Sequence, residues 1–331
     1  MTDSDFAILD ACHQKQGAFI IAGRAGMDLY PVPDGTKIAD ATQFRTDVGG
    51  SAGNIAVALA KAGQQASLLS SLSDDAVGDF VASHLARYGV DTSFVGRTSG
   101  VPRTSLALAE TVTTNTQVVI YRNQAADLYL DPDKMAAIDF TNVKAFIVTG
   151  TALSLPQAKS DLLALAQSAR QAACPVMIDI DYRPTAWHSQ DDARMAFAEF
   201  VTISDVIIAN DDEFAVLSGG DIAAGYQHAH HLAQSGKIIL YKKGAKGCEV
   251  LAQNSQFEIG IFAVQMVKPF GAGDAFLGNV LAALAANKSV ADAVRYGAAA
   301  AAIVVSQSGC ASAMPDTHQL DAFMASHQDK T

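Results

Sequence analysis

The sequence predicts an α/β fold with a mostly parallel central sheet, helices on both of its faces and a small second sheet beside it. Short apolar runs bounded by Gly, Asp or Asn recur along the chain, helix-period segments separate many of them, and one polar-tipped hairpin breaks the alternation. The runs at 18–22, 66–69, 145–149, 176–180, 206–209 and 238–241 read as buried strands, because they are apolar throughout rather than alternating. Helical spacing marks 53–62, 75–88, 156–173, 193–203, 223–234, 272–286 and 290–306, all rich in the alanine that suits close helix packing. Residues 262–267 read as a further strand leading into the helix at 272.

Two segments depart from the alternation. Residues 29–47 contain Pro31, Pro33 and Gly35, and 101–123 enclose a hairpin in which a polar Thr-Thr-Asn-Thr turn separates two apolar runs. Together they predict a small sheet placed to cover a ligand at the carboxyl ends of the parallel strands, or else a plain edge extension. The 331 residues carry no long linker or repeat, so one domain spanning 1–331 is expected.

Composition narrows the function. With 34 acidic against 23 basic side chains the net charge is -11, opposite in sign to the footprint of a nucleic-acid or anionic-membrane binder. Hydrophobic residues make up 50% and charged ones 17%, a balance that excludes global disorder. No apolar run reaches the roughly 18 residues of a membrane helix, and the acidic start is unlike a signal peptide, so a cytoplasmic protein is expected. The four cysteines lie far apart without a Cys-x-x-Cys pair, which speaks for buried thiols over a zinc site.

The chemistry-bearing stretches follow the strands. Gly271-Ala272-Gly273-Asp274 opens the helix at 272, where converging backbone N–H groups and the helix dipole form an anion hole. Asp274 there is either a first-turn dipole partner or a base for an attacking hydroxyl in phosphoryl transfer; at an ordinary carboxylate pKa it would be ionised at neutral pH. Gly50 and Asn54 in the second Gly-rich stretch, and Asp28, either contact sugar hydroxyls or cap turns. Gly23 and Gly26 form only a fragment of a dinucleotide loop, which leaves a dehydrogenase weakly supported. Asn210 and Glu213 at the end of the run 206–209 suit either magnesium ligation, directly or through water, or a helix cap. Lys242, Gly244 and Gly247 either admit a nucleotide and neutralise phosphate or form a solvated hairpin turn.

The order of these motifs resembles the ribokinase-like (PfkB) carbohydrate kinases over about residues 19–315. The resemblance implies a three-layer α/β/α sandwich with a β-sheet lid, transferring the ATP γ-phosphoryl to a sugar hydroxyl. It further implies Asp274 as catalytic base with Gly271, Ala272 and Gly273 as anion hole. By the same resemblance, Asn210 and Glu213 organise Mg2+, Asp28, Gly50 and Asn54 meet the sugar, and Lys242, Gly244, Gly247 and the helix around Ala301 lie on the nucleotide side. Lids in the family often pair two copies, so a homodimer is expected.

One departure stands out. Lys268-Pro-Phe replaces the family's Asp-Thr-x before Gly-Ala-Gly-Asp, and an ammonium cannot ligate the activating monovalent cation held there in many relatives. Lys268 is therefore expected either to replace that cation's charge beside the anion hole or to sit at the surface. Lys-Pro-Phe, the segment from Tyr121 to Asp127 and that from Asp179 to Trp187 are similar to one branch, the 5-dehydro-2-deoxygluconokinases of inositol catabolism. That branch implies an acid-sugar substrate, with Arg122 and Arg183 as candidates for its carboxylate and an ion pair to Asp179 or Asp181 as the alternative for Arg183. Trp187 reads as core packing. Rival readings are 2-dehydro-3-deoxygluconate kinase, neutral-sugar kinases acting on fructose or ribose, and a catalytically silent binding regulator.

Overall fold

The computed structural model describes residues 3–327. Its strands are β1 (Phe19–Ala22), β2 (Gly26–Pro31), β3 (Phe44–Gly49), β4 (Ala66–Ser73), β5 (Val95–Thr98), β6 (Ser105–Ala109), β7 (Val118–Tyr121), β8 (Ala145–Thr149), β9 (Val176–Asp179), β10 (Val206–Asn210), β11 (Ile238–Lys242), β12 (Cys248–Leu251) and β13 (Gln256–Ile259). The helices are α1 (Ala11–Gln14), α2 (Ser51–Lys61), α3 (Ala76–Arg87), α4 (Pro132–Ala136), α5 (Pro156–Gln171), α6 (Gln190–Ile203), α7 (Asp211–Ser218), α8 (Ile222–Gln234), α9 (Ala272–Ala285), α10 (Val290–Val305) and α11 (Thr317–Ser326).

Nine strands form the main sheet in the order β13-β12-β11-β10-β9-β8-β1-β4-β5, parallel from β11 to β5 with β12 and β13 as an antiparallel edge. Alternate side chains of each strand enter different cores, as the period of two requires. Phe19 and Ile21 of β1, and Val206 and Ile208 of β10, pack with α2, α9 and α10. Ile20, Ala22, Ile207 and Ala209 pack on the opposite face with α5, α6 and α8. Both faces are thus covered, which is why these strands are apolar throughout.

The second sheet has the order β3-β2-β6-β7. It joins the two irregular segments as expected: β2 pairs with β3 and β6 with β7 antiparallel, and β2 with β6 parallel.

Residues 262–267 are not a strand. The chain leaves the sheet edge after β13, Phe262 packs edge-on against Phe323 of α11, and the amides of Val267 and Lys268 donate to the carbonyl of Val305 at the end of α10. Of the apolar residues that read as strand, Phe262 is buried against a helix, Val264 and Val267 are half-buried, and Ala263 and Met266 are exposed. All four cysteines are buried, unbridged thiols. No helix of the described residues is long and apolar enough to cross a membrane.

Candidate active site

Seven parallel strands end on one edge, and three neighbours bring polar or charged side chains there. Asp179 closes β9, Asn210 closes β10 and Lys242 closes β11, with Ile208 in register with Asp179 and Asn210 with Lys242. Lys242 Nζ lies 3.0 Å from Asp179 Oδ1 and 3.8 Å from Glu213 Oε2; the two carboxylates are nearly inaccessible and the lysine is partly buried. Burial pushes the two carboxyls up while Lys242 opposes the shift; burial also works against the ammonium, but the paired carboxylates outweigh it and hold Lys242 above its ordinary value.

Helix α9 begins beside this triad. Gly271 at its N-cap has φ +82°, and a Cβ there would sit 2.9 Å from Cys310 Sγ and 3.4 Å from Lys268 Nζ, so glycine serves both the turn and the space. A Cβ on Gly273 would lie 3.6 Å from Lys242 Nζ. The unpaired first-turn amides of α9 are therefore flanked by two lysine side chains, Lys268 fully and Lys242 partly buried. Lys268 is 0% exposed, which excludes the surface alternative; its Nζ donates to the Phe270 carbonyl across 2.7 Å and stands over the Phe270 ring. Burial lowers its pKa, countered by Cys310, Asp274, Asp28 and Asp47.

Asp274, on the first turn of α9, accepts from Asn54 Nδ2 of α2 at 2.7 Å. Its carboxyl is not the ordinary one expected from sequence. Burial, reinforced by the nearby charge of Asp181, pushes its pKa up to about 7, against the pull of the Asn54 hydrogen bond. Asp181 itself adopts φ +36°, a strained conformation for a non-glycine residue at the sheet edge.

A cavity of about 1160 Å³ opens between this edge and the second sheet. Asp28, Gly50, Asn54, Arg122, Arg183, Gly271 and Asp274 line it. Asp28 accepts from Tyr30 Oη at 2.9 Å; burial pushes its carboxyl up to about 6, and Gly49 gives it room, since a Cβ there would fall 1.8 Å from Asp28 Oδ1. Asp28 Oδ1, Ser51 Oγ and Asn54 Oδ1 are buried without a partner, which leaves acceptors and a hydroxyl to receive a polyhydroxylated ligand.

The other expected residues are placed differently. Arg122 is held by Asp127 through Nε and Nη2 and by the Thr151 carbonyl through Nη1, because its side chain is buried between the lid exit and the loop after β8. Arg183 pairs with Asp181 at 2.8 Å yet leaves 55% of its side chain exposed to the cavity. Asn210 and Glu213 form a reciprocal capping box at the start of α7, Glu213 Oε2 accepting from the Asn210 amide and Asn210 Oδ1 from that of Glu213. Glu213 Oε1 also accepts from the Tyr182 amide, so both of its oxygens already have partners. Gly244 and Gly247 turn the β11–β12 hairpin, and Ala301 lies on α10; neither the turn nor that helix position lines the cavity.

Sequence reading overlooked Arg24 and Ser51, both in the cavity wall, and the pairing of Asp179 with Lys242. The signal for Arg24 was its position in the loop after the first strand, on the edge where such sheets bind ligands.

The sequence pattern described as "pfkB family carbohydrate kinase" matches residues 19–317. The chain belongs to the PfkB family of carbohydrate kinases. The PfkB chain is 35% identical over 314 residues to a 5-dehydro-2-deoxygluconokinase of Photobacterium profundum, covering 93% of this chain and 95% of that protein. It is 31% identical to the protein of the same name from Lacticaseibacillus casei, covering 92% and 94%. Among solved structures, a fructokinase double mutant from Vibrio cholerae O395 with fructose, ADP and potassium ion superposes with a TM-score of 0.82 at 23% identity, covering 94% of this chain and 99% of that one. The resemblance of the motif order to the PfkB kinases, and of three segments to the 5-dehydro-2-deoxygluconokinase branch, therefore stands, as does the ribokinase-like fold with its smaller second sheet.

Proposed function

We propose that this PfkB kinase transfers the γ-phosphoryl group of ATP to the terminal hydroxyl of 5-dehydro-2-deoxy-D-gluconate, giving the 6-phosphate. The observation that carries the reading is Asp274, held by Asn54 at the mouth of the α9 anion hole and facing a cavity with unpaired sugar-type donors and acceptors. The name shared by the curated relatives supports the choice of sugar over 2-dehydro-3-deoxygluconate, fructose or ribose.

In the reaction, the substrate hydroxyl oxygen forms a bond to the γ-phosphorus, the bond from that phosphorus to the β–γ bridging oxygen breaks, and ADP leaves. The hydroxyl proton passes to Asp274, whose pKa of about 7 suits a base working near neutrality. Charge on the moving group is met by the first-turn amides of Ala272, Gly273 and Asp274, with Lys242 and Lys268 behind them. Arg183, whose charge is felt by Asp274, stands at this transfer end. Asp28, Gly50 and Asn54 hold the sugar, and Gly244, Gly247 and Ala301 belong to the nucleotide side, outside the cavity wall.

Magnesium bound with ATP would neutralise its phosphate oxygens. Asn210 and Glu213 fit that ion through bridging water, since the oxygens of Glu213 already accept backbone hydrogen bonds. The Lys268 ammonium takes the charge role of an activating monovalent cation. ATP use supports a cytoplasmic enzyme, and the exposed Val118, Val119 and Tyr121 of β7 suit a second copy covering the lid, which light scattering at micromolar concentration tests.

The deciding experiment measures ADP release with ATP and magnesium on 5-dehydro-2-deoxygluconate, 2-dehydro-3-deoxygluconate, fructose and ribose in parallel. The highest kcat/KM on the first is expected. Preference for another sugar moves the substrate within the same chemistry, and no turnover on any of them favours a binding regulator.

A further inference from the structure

Three arginines line the cavity, and they differ in what already neutralises them. Arg122 is locked to Asp127 and Arg183 is paired with Asp181. Arg24 alone of the three has no carboxylate within 4 Å among the described residues; its contact is a 3.1 Å hydrogen bond from Nη1 to Ser105 Oγ. A guanidinium has five donors, and one partly buried with a single neutral acceptor retains most of its capacity for an anion.

The surroundings of Arg24 are built around it. The loop between β1 and β2 carries it, and its carbonyl accepts from the Gly53 amide, which ties the loop to the first turn of α2. Its side chain crosses Gly26, where a Cβ would lie 3.1 Å from Nη1 and 2.5 Å from Ser105 Oγ; a side chain at 26 would collide with Ser105, the partner of Arg24, and crowd the guanidinium. Ser51 Oγ, a buried hydroxyl with no partner, stands in the same wall. Asp28, whose charge Arg24 offsets, accepts from Tyr30 rather than from Arg24, so the guanidinium is not spent on it.

We infer that Arg24 is the specificity-determining residue that binds the substrate carboxylate, by charge-assisted hydrogen bonds from its unused N–H groups. This rests on the acid-sugar reading above. It replaces Arg122 in that role, because the Arg122 guanidinium is already neutralised, and it leaves Arg183 to the transfer end near Asp274. An acid sugar then lies with its carboxylate at the β1–β2 loop and its reacting hydroxyl at Asp274. A neutral sugar of the same length leaves Arg24 unmatched, which is how the cavity discriminates.

The test compares wild type, Arg24→Gln and Arg24→Lys on 5-dehydro-2-deoxygluconate and on its uncharged C1 amide. Arg24→Gln is expected to lower kcat/KM for the acid roughly 10- to 100-fold, mainly through KM, while changing the amide by less than about threefold. Arg24→Lys keeps the charge without the fork and is expected to fall between the two. An unchanged KM for the acid in Arg24→Gln, or equal losses on acid and amide, overturns the inference while leaving the kinase reading intact. If Arg24→Gln does not fold, the acid-to-amide ratio of Arg24→Lys decides in the same way. A wild type that ignores the acid in favour of neutral sugars overturns the acid-sugar reading, and the carboxylate contact falls with it.

Discussion

Asn54 Nδ2 donates to Asp274 Oδ2 across 2.7 Å, joining the first turns of α2 and α9 from positions 220 residues apart. The bond lowers a pKa that burial raises, so in the proposed reaction Asn54 both aims Asp274 and keeps it able to accept a proton. Replacing Asn54 by Leu removes the donor from a carboxylate that stays buried. The acid limb of the kcat/KM profile should then move above pH 7, with a loss of about tenfold or more at pH 7.5, read from initial rates across pH.

In the wild type the same carboxyl sets the pH dependence. A base acts only when deprotonated, so kcat/KM should rise as pH increases through about 7 and level off above it. Asp274→Asn should lower kcat by a factor on the order of 10² to 10⁴ while ATP binding, followed by calorimetry, changes little.

The Asp274 shift also bears on stability. Its folded pKa of about 7 lies above the unfolded value of 3.8, so between those two values the folded state holds a proton that the unfolded chain has released. Stability therefore falls as pH rises across that window. Asp274→Asn removes this contribution, and its stability gain over wild type should grow by about 1–3 kcal/mol from pH 5 to pH 8 in urea titrations.

Local pattern carried the fold because β1, β8, β9, β10 and β11 are buried on both faces and so are apolar throughout, a signature that needs no knowledge of their neighbours. The same rule misread 262–267, where Phe262 packs on α11 and the backbone of Val267 bonds to the end of α10 instead of a strand, a tertiary fact that a window of six residues does not contain. The Gly-Ala-Gly-Asp turn was legible because a helix N-terminus needs those residue types. The partners of each charge were not. Arg122 and Arg24 look alike in sequence, and only the fold puts Asp127 on the first and leaves the second facing the cavity. For Asn210 and Glu213 the structure shows the helix cap, a reciprocal capping box at the end of β10, and the magnesium role stays with the proposed function.

Lys242 is a test of the buried triad. With Asp179 at 3.0 Å and Glu213 at 3.8 Å, it is the counter-charge for two carboxyls at the ends of β9 and α7's first turn. Lys242→Met preserves much of the side-chain volume but leaves those groups without it. A stability loss of about 3 kcal/mol in urea unfolding is expected, and kcat should fall as well, because the same ammonium adjoins Gly273. The double change with Glu213→Gln should recover part of the stability and none of the turnover.

Lys268 bears on the choice of activating ion. Its amine is inaccessible, donates to the Phe270 carbonyl and adjoins Gly271, which under the proposed reaction sets it beneath the anion hole. An enzyme with a tethered cation has no need of a dissociable one, and its rate should differ by less than about twofold between potassium, sodium and choline buffers of equal ionic strength. Lys268→Met removes the charge and should lower kcat by on the order of 10² with a smaller change in the sugar KM, as expected for a group that acts on charge developing in transfer. Strong potassium activation of the wild type would show that the ammonium does not fill the ion's role, and an unchanged kcat in Lys268→Met would show that its charge does not reach the anion hole.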